Sequence, residues 1–274
     1  MAVTVITDSA AALPPELTAR YGIRIVPLWL HLGDERYRDG ELELEELVAR
    51  FDEPCSTAAP SPGEFATAIA EARAAGPVVV LTVAEGMSST HQSALLGARQ
   101  VDEFVTVMDT ATAAGAQGLV VLAAAEAAAD ENATVDDVLA VAKDVASRVR
   151  LVATVADLER LAQSGRVPEV ARWIGDRLRV RPLFEFRAGQ VRPLRPAFSR
   201  SAALERIVQR CAVEDVPDGR LHVAVLHALD QSAADVLVER VTLLRPLSCM
   251  VGPFSPVMVA HTGRGLAGLA WWRE

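Results

Sequence analysis

The feature that most constrains the fold of this chain is a repeated alternation of short apolar runs with helical patterns. Apolar runs at residues 3–6, 77–83 and 103–108 each end at polar residues, and a segment of helical periodicity follows each run. Parallel strands need long crossover connections, so strands that alternate with helices are typical of a mostly parallel α/β sheet. We therefore predict an N-terminal, mostly parallel sheet flanked by helices.

The pattern changes in the second half of the chain. Two strand-like runs, at 178–187 and 191–198, are separated by a glycine-containing turn and predict a hairpin, so this half is not a purely parallel sheet. At 274 residues the chain is long enough for two cores. We predict an α/β fold of two lobes, 1–149 and a smaller, mixed lobe 150–274. Further strands are predicted at 23–32, 151–154, 221–227 and 257–260. Helices are predicted at 13–21, 43–51, 113–129, 135–149, 155–163, 202–211 and 233–243. One more helix begins near residue 63, and another ends near residue 98.

Composition limits the class of protein. With 51% hydrophobic and 23% charged residues the chain is globular, and no apolar run approaches the ~20 residues that span a bilayer. No integral membrane segment is predicted, while transient contact with a membrane surface is left open. The first residues form a strand-like run without a basic leader, so no signal peptide is predicted and the expected location is cytoplasmic.

Charge and cysteine content narrow the choice of ligand. The formal net charge of −9 disfavours a nucleic-acid partner, which needs a basic face. Cys55, Cys211 and Cys249 are widely spaced, which argues against a disulfide framework or a C-x-x-C metal site. No histidine has ligand spacing to acids or cysteines, so no metal and no other cofactor is predicted. A bound anion must then be met by local groups.

Three short segments carry most of the chemistry, at 55–62, 86–93 and 259–263. Together they supply hydroxyls, backbone N–H groups and one imidazole, but no lysine. The second segment follows a predicted strand and precedes a helix, where a helix N-terminus directs N–H groups toward an anion. This set of groups suits the binding of an anionic head group rather than the breaking of bonds.

The hydroxyls of the first two segments also have a purely structural interpretation. Ser88, Ser89 and Thr90 are favoured N-cap residues, but one cap does not need three hydroxyls. Ser61 is a candidate cap for the helix that follows it. Thr57 lies four residues earlier, so capping does not explain it.

Two further features remain open between structure and function. His261 follows the strand predicted at 257–260, and a lone histidine is more often a satisfied core residue than a ligand. Asp8 and Asp109 each end a predicted strand and are followed by a hydroxyl residue. For at least one of these two acids we favour a cap or a turn.

Two other functional classes are considered. A hydrolase or transferase with Ser88 as nucleophile and His261 as base needs a hydrogen bond between them and an acid that orients His261. The sequence nominates no such acid and contains no Gly-x-Ser-x-Gly elbow. A nucleotide-binding module is disfavoured because the glycine-rich segment 261–265 lacks both the dinucleotide and the P-loop spacing.

Taken in order along the chain, these segments resemble the DegV family of bacterial fatty-acid-binding proteins, the partners of fatty acid kinase. The resemblance is carried by Thr7-Asp8-Ser9, Thr57 with Pro60-Ser61-Pro62 and Phe65, Met87-Ser88-Ser89-Thr90 with Gln92-Ser93-Ala94, Asp109-Thr110, Gly165-Arg166-Val167, Arg181-Pro182-Leu183, and His261-Thr262-Gly263 with Gly265. No single segment is decisive. The ordered set is specific and extends along the whole chain.

The resemblance implies a long-chain fatty acid in an apolar tunnel between the two lobes. Its carboxylate would be bonded by the hydroxyls of Thr57 and Ser88, with His261 close by. Ser89 and Thr262 complete the predicted carboxylate-binding set. The protein would then be a lipid-binding carrier without catalytic residues of its own.

The resemblance also implies a partner. A separate fatty acid kinase would convert the presented carboxylate to an acyl phosphate for phospholipid metabolism. Arg166 is similar to the arginine important for productive engagement with the kinase, and Arg200 resembles a second basic position. The alternative for both is a solvated surface charge, and it is the stronger alternative for Arg200. The chain departs from the family pattern at Ala58, Ser89, His91, Ala260 and Arg264, where Ser, Gly, Tyr, Thr and Pro are usual.

Overall fold

The computed structural model describes residues 2–102, 105–156, 158–167, 180–213 and 220–274. The described strands are β1 (Thr4–Asp8), β2 (Arg24–Val26), β3 (Trp29–Leu32), β4 (Glu35–Arg38), β5 (Cys55–Ala58), β6 (Val78–Thr82), β7 (Thr106–Asp109), β8 (Arg150–Thr154), β9 (Arg181–Arg187), β10 (Gln190–Ala197), β11 (Leu221–His227), β12 (Ser248–Pro253) and β13 (Ala267–Arg273). The described helices are α1 (Pro15–Tyr21), α2 (Leu44–Ala49), α3 (Pro62–Arg73), α4 (Thr90–Val101), α5 (Ala114–Ala128), α6 (Val135–Arg148), α7 (Leu158–Gln163), α8 (Arg200–Ala212), α9 (Gln231–Thr242) and α10 (Pro256–Thr262). Parts of three predicted elements, at 103–104, 157 and 178–179, lie outside the described residues.

The predicted N-terminal parallel sheet is confirmed. Its four strands lie in the order β2-β1-β6-β7, and every neighbouring pair is parallel. β6 reads Val-Val-Val-Leu-Thr and is buried along its whole length, as expected for a central strand covered on both faces. The carboxyl ends of β1, β6 and β7 therefore meet at one edge, where Asp8, the segment after Val83, and Asp109 come together.

The single strand predicted at 23–32 is wrong in one respect, because the segment forms two strands in two different sheets. β2 joins the parallel sheet, while β3 pairs antiparallel with β4 and β5 in a separate three-stranded sheet. Pro27 lies between them and has no N–H for a continuous ladder. β4 and β5 were not predicted. Thr57 lies on β5.

The second half forms a six-stranded mixed sheet in the order β10-β9-β8-β13-β11-β12. The predicted hairpin is confirmed as the antiparallel pair β9 and β10. β12 and β13 were missed. β13 reads Ala-Gly-Leu-Ala-Trp-Trp-Arg, whose small residues have weak strand propensity, and it is placed by its two partners β8 and β11.

The terminal strand predicted near 257–260 is wrong, because this segment lies in helix α10. A short apolar run does not distinguish a buried strand from a buried helix by periodicity alone. Pro256 at the first helical position is the local signal for a helix, since it needs no N–H partner there. His261 consequently lies in the last turn of a helix and does not follow a strand.

The core extends across the sheets. Helix α5 is buried on nearly all sides and packs against β1 of the parallel sheet and against β11 and β13 of the mixed sheet. Its alanine- and glycine-rich sequence permits this close approach. The division into lobes at 149/150 coincides with the connection between α6 and β8 and stays a prediction. None of the helices in the described ranges is both long and apolar enough to cross a membrane.

A close contact between α3 and α4 gives a stability test of this packing. A Cβ atom on Gly97 would lie 2.5 Å from the Pro62 carbonyl oxygen and 2.7 Å from the Phe65 Cβ. We expect Gly97→Ala to lower the free energy of unfolding by about 2 kcal/mol, because the helices must separate. Urea denaturation measures the change. The control is Gly63→Ala, whose Cβ meets only the Ser61 hydroxyl at 3.9 Å; equal stability of both variants would contradict the packing.

Candidate functional site

A cavity of about 870 Å³ lies between the edge of the parallel sheet, helix α10 and the inner face of the mixed sheet. Its size is within the usual range for ligand pockets. Six of the seven predicted functional residues line it: Thr57, Ser88, Ser89, His261, Thr262 and Arg166. The tertiary structure therefore brings together segments that are far apart in the sequence.

One wall of the cavity is apolar and built on neighbouring strands. Phe186 on β9 is directly opposite Leu151 on β8 and Val191 on β10, so their side chains share one face of the sheet. Phe184 lies two residues from Phe186 and therefore points the same way. All four residues line the cavity, with further apolar contributions from Leu28, Val83, Ala113, Leu161, Phe254, Val257, Met258 and Leu266.

Thr57 and His261 form the first polar pair in the cavity. The distance from Thr57 Oγ1 to His261 Nε2 is 2.8 Å, although the residues are 204 positions apart. β5 presents Thr57, and the last turn of α10 presents His261. The N-terminus of α10 is held by Asp39, whose carboxylate accepts from the Val257 N–H at 3.0 Å and from the Ser9 hydroxyl at 2.6 Å. Asp39 was not predicted, because its contacts are with distant segments.

Ser88 lies just before helix α4 and forms a second polar group. Its Oγ accepts from the Thr90 N–H at 3.3 Å and lies 2.7 Å from the Thr90 hydroxyl oxygen. Ser88 thus makes a cap-like bond, whereas the N-cap residue Ser89 makes no side-chain bond to the helix. The predicted cap at Ser61 is confirmed as a complete capping box with Glu64.

The electrostatic environment keeps His261 neutral. Burial and, to a smaller extent, the positive charge of Arg166 lower the pKa of His261 to about 4. Arg166 and His261 line the same cavity. Arg166 itself is exposed, and its guanidinium donates to the Ser164 carbonyl oxygen at 2.6 Å.

The depressed pKa of His261 has a consequence for acid stability. Between the ordinary value of 6.5 and about 4, the unfolded chain binds a proton at this position that the folded protein does not. The contribution of His261 to stability is therefore lost as the pH falls through this window. Between pH 7.5 and pH 4.5 we expect His261→Gln to lose roughly 2–3 kcal/mol less stability than the original protein, as measured by urea denaturation of both. The control is His31→Gln, because His31 does not line the cavity. The same change in both variants would contradict the assignment of this acid effect to His261.

Asp8 supports the segment that carries Ser88. It is fully buried, and its two carboxylate oxygens accept from the Ala10 N–H at 3.0 Å and the Val83 N–H at 2.8 Å. Burial raises the pKa of Asp8 to about 6, and these hydrogen bonds partly offset the effect. Among the residues that the structure describes, Asp109 accepts only within its own turn, from the Ala111 N–H at 2.8 Å. A cap or turn role is therefore present for both acids, but Asp8 also joins β1 to the end of β6.

Thr262 and Arg200 differ from Thr57 and Ser88 in their contacts. The Thr262 hydroxyl donates to the carbonyl oxygens of Met258 in its own helix and of Gly263 just after it, at 3.2 and 3.1 Å. Arg200 lies away from the large cavity and forms an ion pair with Asp230. Its predicted role in kinase engagement is a question of surface contact and stays a prediction.

The geometry does not favour the Ser/His enzyme. Within the described residues His261 bonds to Thr57 and not to Ser88, and no carboxylate orients its ring. The same part of the chain contains no group of three His, Cys, Asp or Glu side chains able to hold a metal ion. The arrangement combines the hydroxyls of Thr57 and Ser88 with the apolar wall of one cavity.

Comparison with known proteins agrees with the architecture. The family model described as "Uncharacterised protein, DegV family" matches residues 2–274. A DegV domain-containing protein from Streptomyces coelicolor is 34% identical over 277 residues, which is 97% of each chain. A DegV family protein from Thermus thermophilus, reported with fatty acid binding, has a TM-score of 0.93 at 29% identity over 100% of both chains. DegV from Bacillus subtilis, reported as a fatty acid binding protein, has a TM-score of 0.89 at 26% identity over 100% of both chains. The α/β architecture, the cavity and the full-length match together show that this chain belongs to the DegV family.

Proposed function

We propose that this protein binds a long-chain fatty acid and presents its carboxylate to a separate kinase, which forms the acyl phosphate. The ligand lies in the 870 Å³ cavity, between lobes 1–149 and 150–274. The observation that carries the proposal is one cavity lined both by an apolar wall and by the uncharged hydroxyl groups of Thr57 and Ser88. Fatty acid binding by the Thermus thermophilus and Bacillus subtilis relatives supports the ligand class.

The apolar wall supplies the affinity. Burial of an acyl chain contributes roughly 0.8 kcal/mol per methylene, or on the order of 10 kcal/mol gross for a long chain before ordering costs. Phe184, Phe186 and Phe254 present large apolar surfaces to such a tail. A short acid lacks most of this contribution, which favours a long chain as the ligand.

The polar groups suit a carboxylate. With the proton of neutral His261 on Nε2, the imidazole donates to Thr57, whose own hydroxyl proton is then free for the ligand. Ser88 Oγ accepts from the Thr90 N–H, and when it also accepts from the Thr90 hydroxyl its proton is likewise free. These bonds to a carboxylate are charge-assisted, yet they add no formal positive charge. The carboxylate therefore keeps its nucleophilic character for phosphorylation.

The exposed Arg166 is the group best placed to serve a kinase. It lines the same cavity as His261 and its charge acts on that ring, so a phosphate developing on the carboxylate would lie within its reach. In this proposal the protein is a cytoplasmic carrier without a cofactor, and its product enters phospholipid metabolism. Ser89 and Thr262 lie beside the carboxylate, and Arg200 contributes a second contact to the kinase.

Identification of the co-purifying ligand tests the central claim. Gentle native mass spectrometry of the purified protein, followed by solvent extraction, should recover one fatty acid per chain and reveal its length. Delipidated protein should take up an added long-chain fatty acid. Protein that is empty and binds no added fatty acid would overturn the proposal.

A substitution at Arg166 separates binding from presentation. We expect Arg166→Ala to bind a long-chain fatty acid within about threefold of the original protein, because the exposed guanidinium contributes little to tail burial. Acyl phosphate formation with a fatty acid kinase and ATP should fall at least tenfold. The control is the exposed Arg192→Ala on β10, outside the cavity. Unchanged acyl phosphate formation by Arg166→Ala would remove this residue from the proposal.

A further inference from the structure

A second cleft, of about 420 Å³, lies on the other face of the mixed sheet. Leu151 and Phe184 face the large cavity, whereas Thr154 on β8 and Leu183 on β9 face the opposite side, where α8 and α9 pack. The cleft is lined by Thr154, Ala156, Arg181, Arg200, Leu204, Leu229, Asp230, Ser232, Arg264, Gly265 and Ala267. Three arginines thus surround a small space in a chain whose net charge is −9.

Only one of the three arginines has an acidic partner within the described residues. Arg200 pairs with Asp230 and donates to the Ser232 hydroxyl at 2.7 Å. The Asp230 carboxylate also caps α9 by accepting from the Ala233 N–H at 3.2 Å. This acid is therefore fully engaged. Arg181 and Arg264 form no ion pair with any residue that the structure describes, so the cleft keeps an excess of positive charge.

A buried hydroxyl beside the cleft also lacks a partner among the described residues. Thr154 is only 3% exposed, and its Oγ1 makes no hydrogen bond to any of them. A buried polar group without a partner costs about 1–3 kcal/mol, so most buried hydroxyls are satisfied. Neighbouring residues on the same face of the sheet, such as Val152 and Leu183, are apolar. A valine would fit the position without this cost. Thr154 lines the cleft, although its Oγ1 has almost no accessible surface, so a turn of the side chain toward the cleft would let a ligand there supply the missing bond.

We propose that this cleft binds a phosphate group, either inorganic phosphate or the terminal phosphate of a small phosphate monoester. Guanidinium groups bind phosphate oxygens bidentately, and a tetrahedral dianion offers enough acceptors for Arg181, Arg264 and the Thr154 hydroxyl together. A carboxylate has fewer acceptor positions. The space exceeds that of phosphate alone, and Leu204 and Leu229 provide an apolar wall for an attached organic group.

Titration of the full-length protein with inorganic phosphate and with phenyl phosphate tests the site. Isothermal titration calorimetry at constant ionic strength should give saturable binding of at least one of them, with one site per chain. Tighter binding of phenyl phosphate identifies a monoester as the ligand, and equal or weaker binding identifies inorganic phosphate. Chloride at the same ionic strength should give no saturable signal. A phosphate signal no larger than that of chloride would overturn the proposal.

Two variants locate the binding in this cleft. Thr154→Val should leave the ligand-free protein as stable as the original, or more so, because an unpartnered hydroxyl is removed. The same variant should weaken phosphate binding, and Arg181→Gln should weaken it by roughly tenfold or more. The matched control is Arg192→Gln, an exposed arginine on β10 outside the cleft. Equal phosphate affinity in Thr154→Val, Arg181→Gln and the control would place the binding elsewhere and overturn the proposal.

Fatty acid affinity is measured on the same variants. Thr154 and Arg181 do not line the large cavity, so their substitution should leave fatty acid binding unchanged. If the original protein binds no fatty acid, the proposed carrier function is rejected and the phosphate site is unaffected. If the original protein binds fatty acid but no phosphate, the second site is rejected and the carrier function stands.

Discussion

Removal of the Thr57 and Ser88 hydroxyls from the cavity should weaken binding of a long-chain fatty acid by roughly 100-fold or more. In the proposed complex, Thr57→Val and Ser88→Ala each delete one charge-assisted hydrogen bond to the carboxylate, and such bonds contribute about 1.5–3 kcal/mol each. The double variant loses both donors while the apolar wall remains. Fluorescence displacement or calorimetry with one fatty acid gives the dissociation constants of the double variant and of each single variant.

A fatty alcohol of the same chain length is the control ligand for this experiment. It buries the same tail but carries no charge, so the double variant should lose much less affinity for the alcohol than for the acid. Equal losses for acid and alcohol would show that the substitutions damage the cavity and not the head-group site. Thermal denaturation of the ligand-free variants also reports whether His261, which loses its Thr57 partner, destabilises the fold.

Substitution of Asp8 should produce the largest effect on stability. Asp8→Ala leaves the Val83 and Ala10 N–H groups without their acceptor in a fully buried environment. Each unsatisfied group costs about 1–3 kcal/mol, so we expect the free energy of unfolding at pH 7.5 to fall by about 3 kcal/mol. Fatty acid binding should weaken as well, because the Val83 bond anchors the segment that leads to Ser88. Urea denaturation and a fatty acid titration measure the two effects.

The pH dependence identifies the carboxyl group itself. The pKa of Asp8 is raised to about 6 from 3.8, so the folded protein binds a proton between these values that the unfolded chain does not. The contribution of Asp8 to stability therefore grows as the pH falls from 6 toward 4, opposite in sign to that of His261. Asp8→Asn should remove this gain, so that the loss of stability that His261 causes at low pH becomes visible. The exposed Asp52→Asn is the control, and a pH profile unchanged by Asp8→Asn would contradict the assignment.

Several features of the fold were predictable because their causes are local. The alternation of apolar runs and helices indicated the parallel sheet, and the turn between residues 187 and 190 indicated the hairpin β9-β10. The capping box at Ser61 was readable from residue types three positions apart. Strands β12 and β13 and helix α10 were missed or misassigned, because short apolar segments take the structure that their distant partners impose.

The sequence by itself determined the α/β class, the membership in the DegV family and the residue types of the candidate site. These depend on periodicity and on ordered short segments, which neighbouring residues encode. Only the tertiary structure decided that Thr57 meets His261 across 204 positions, that Asp8 anchors the segment before Ser88, and that Thr154 lies unpartnered beside Arg181. The physical reason is that packing and burial, which fix distances and shift pKa values, arise from segments far apart in the chain.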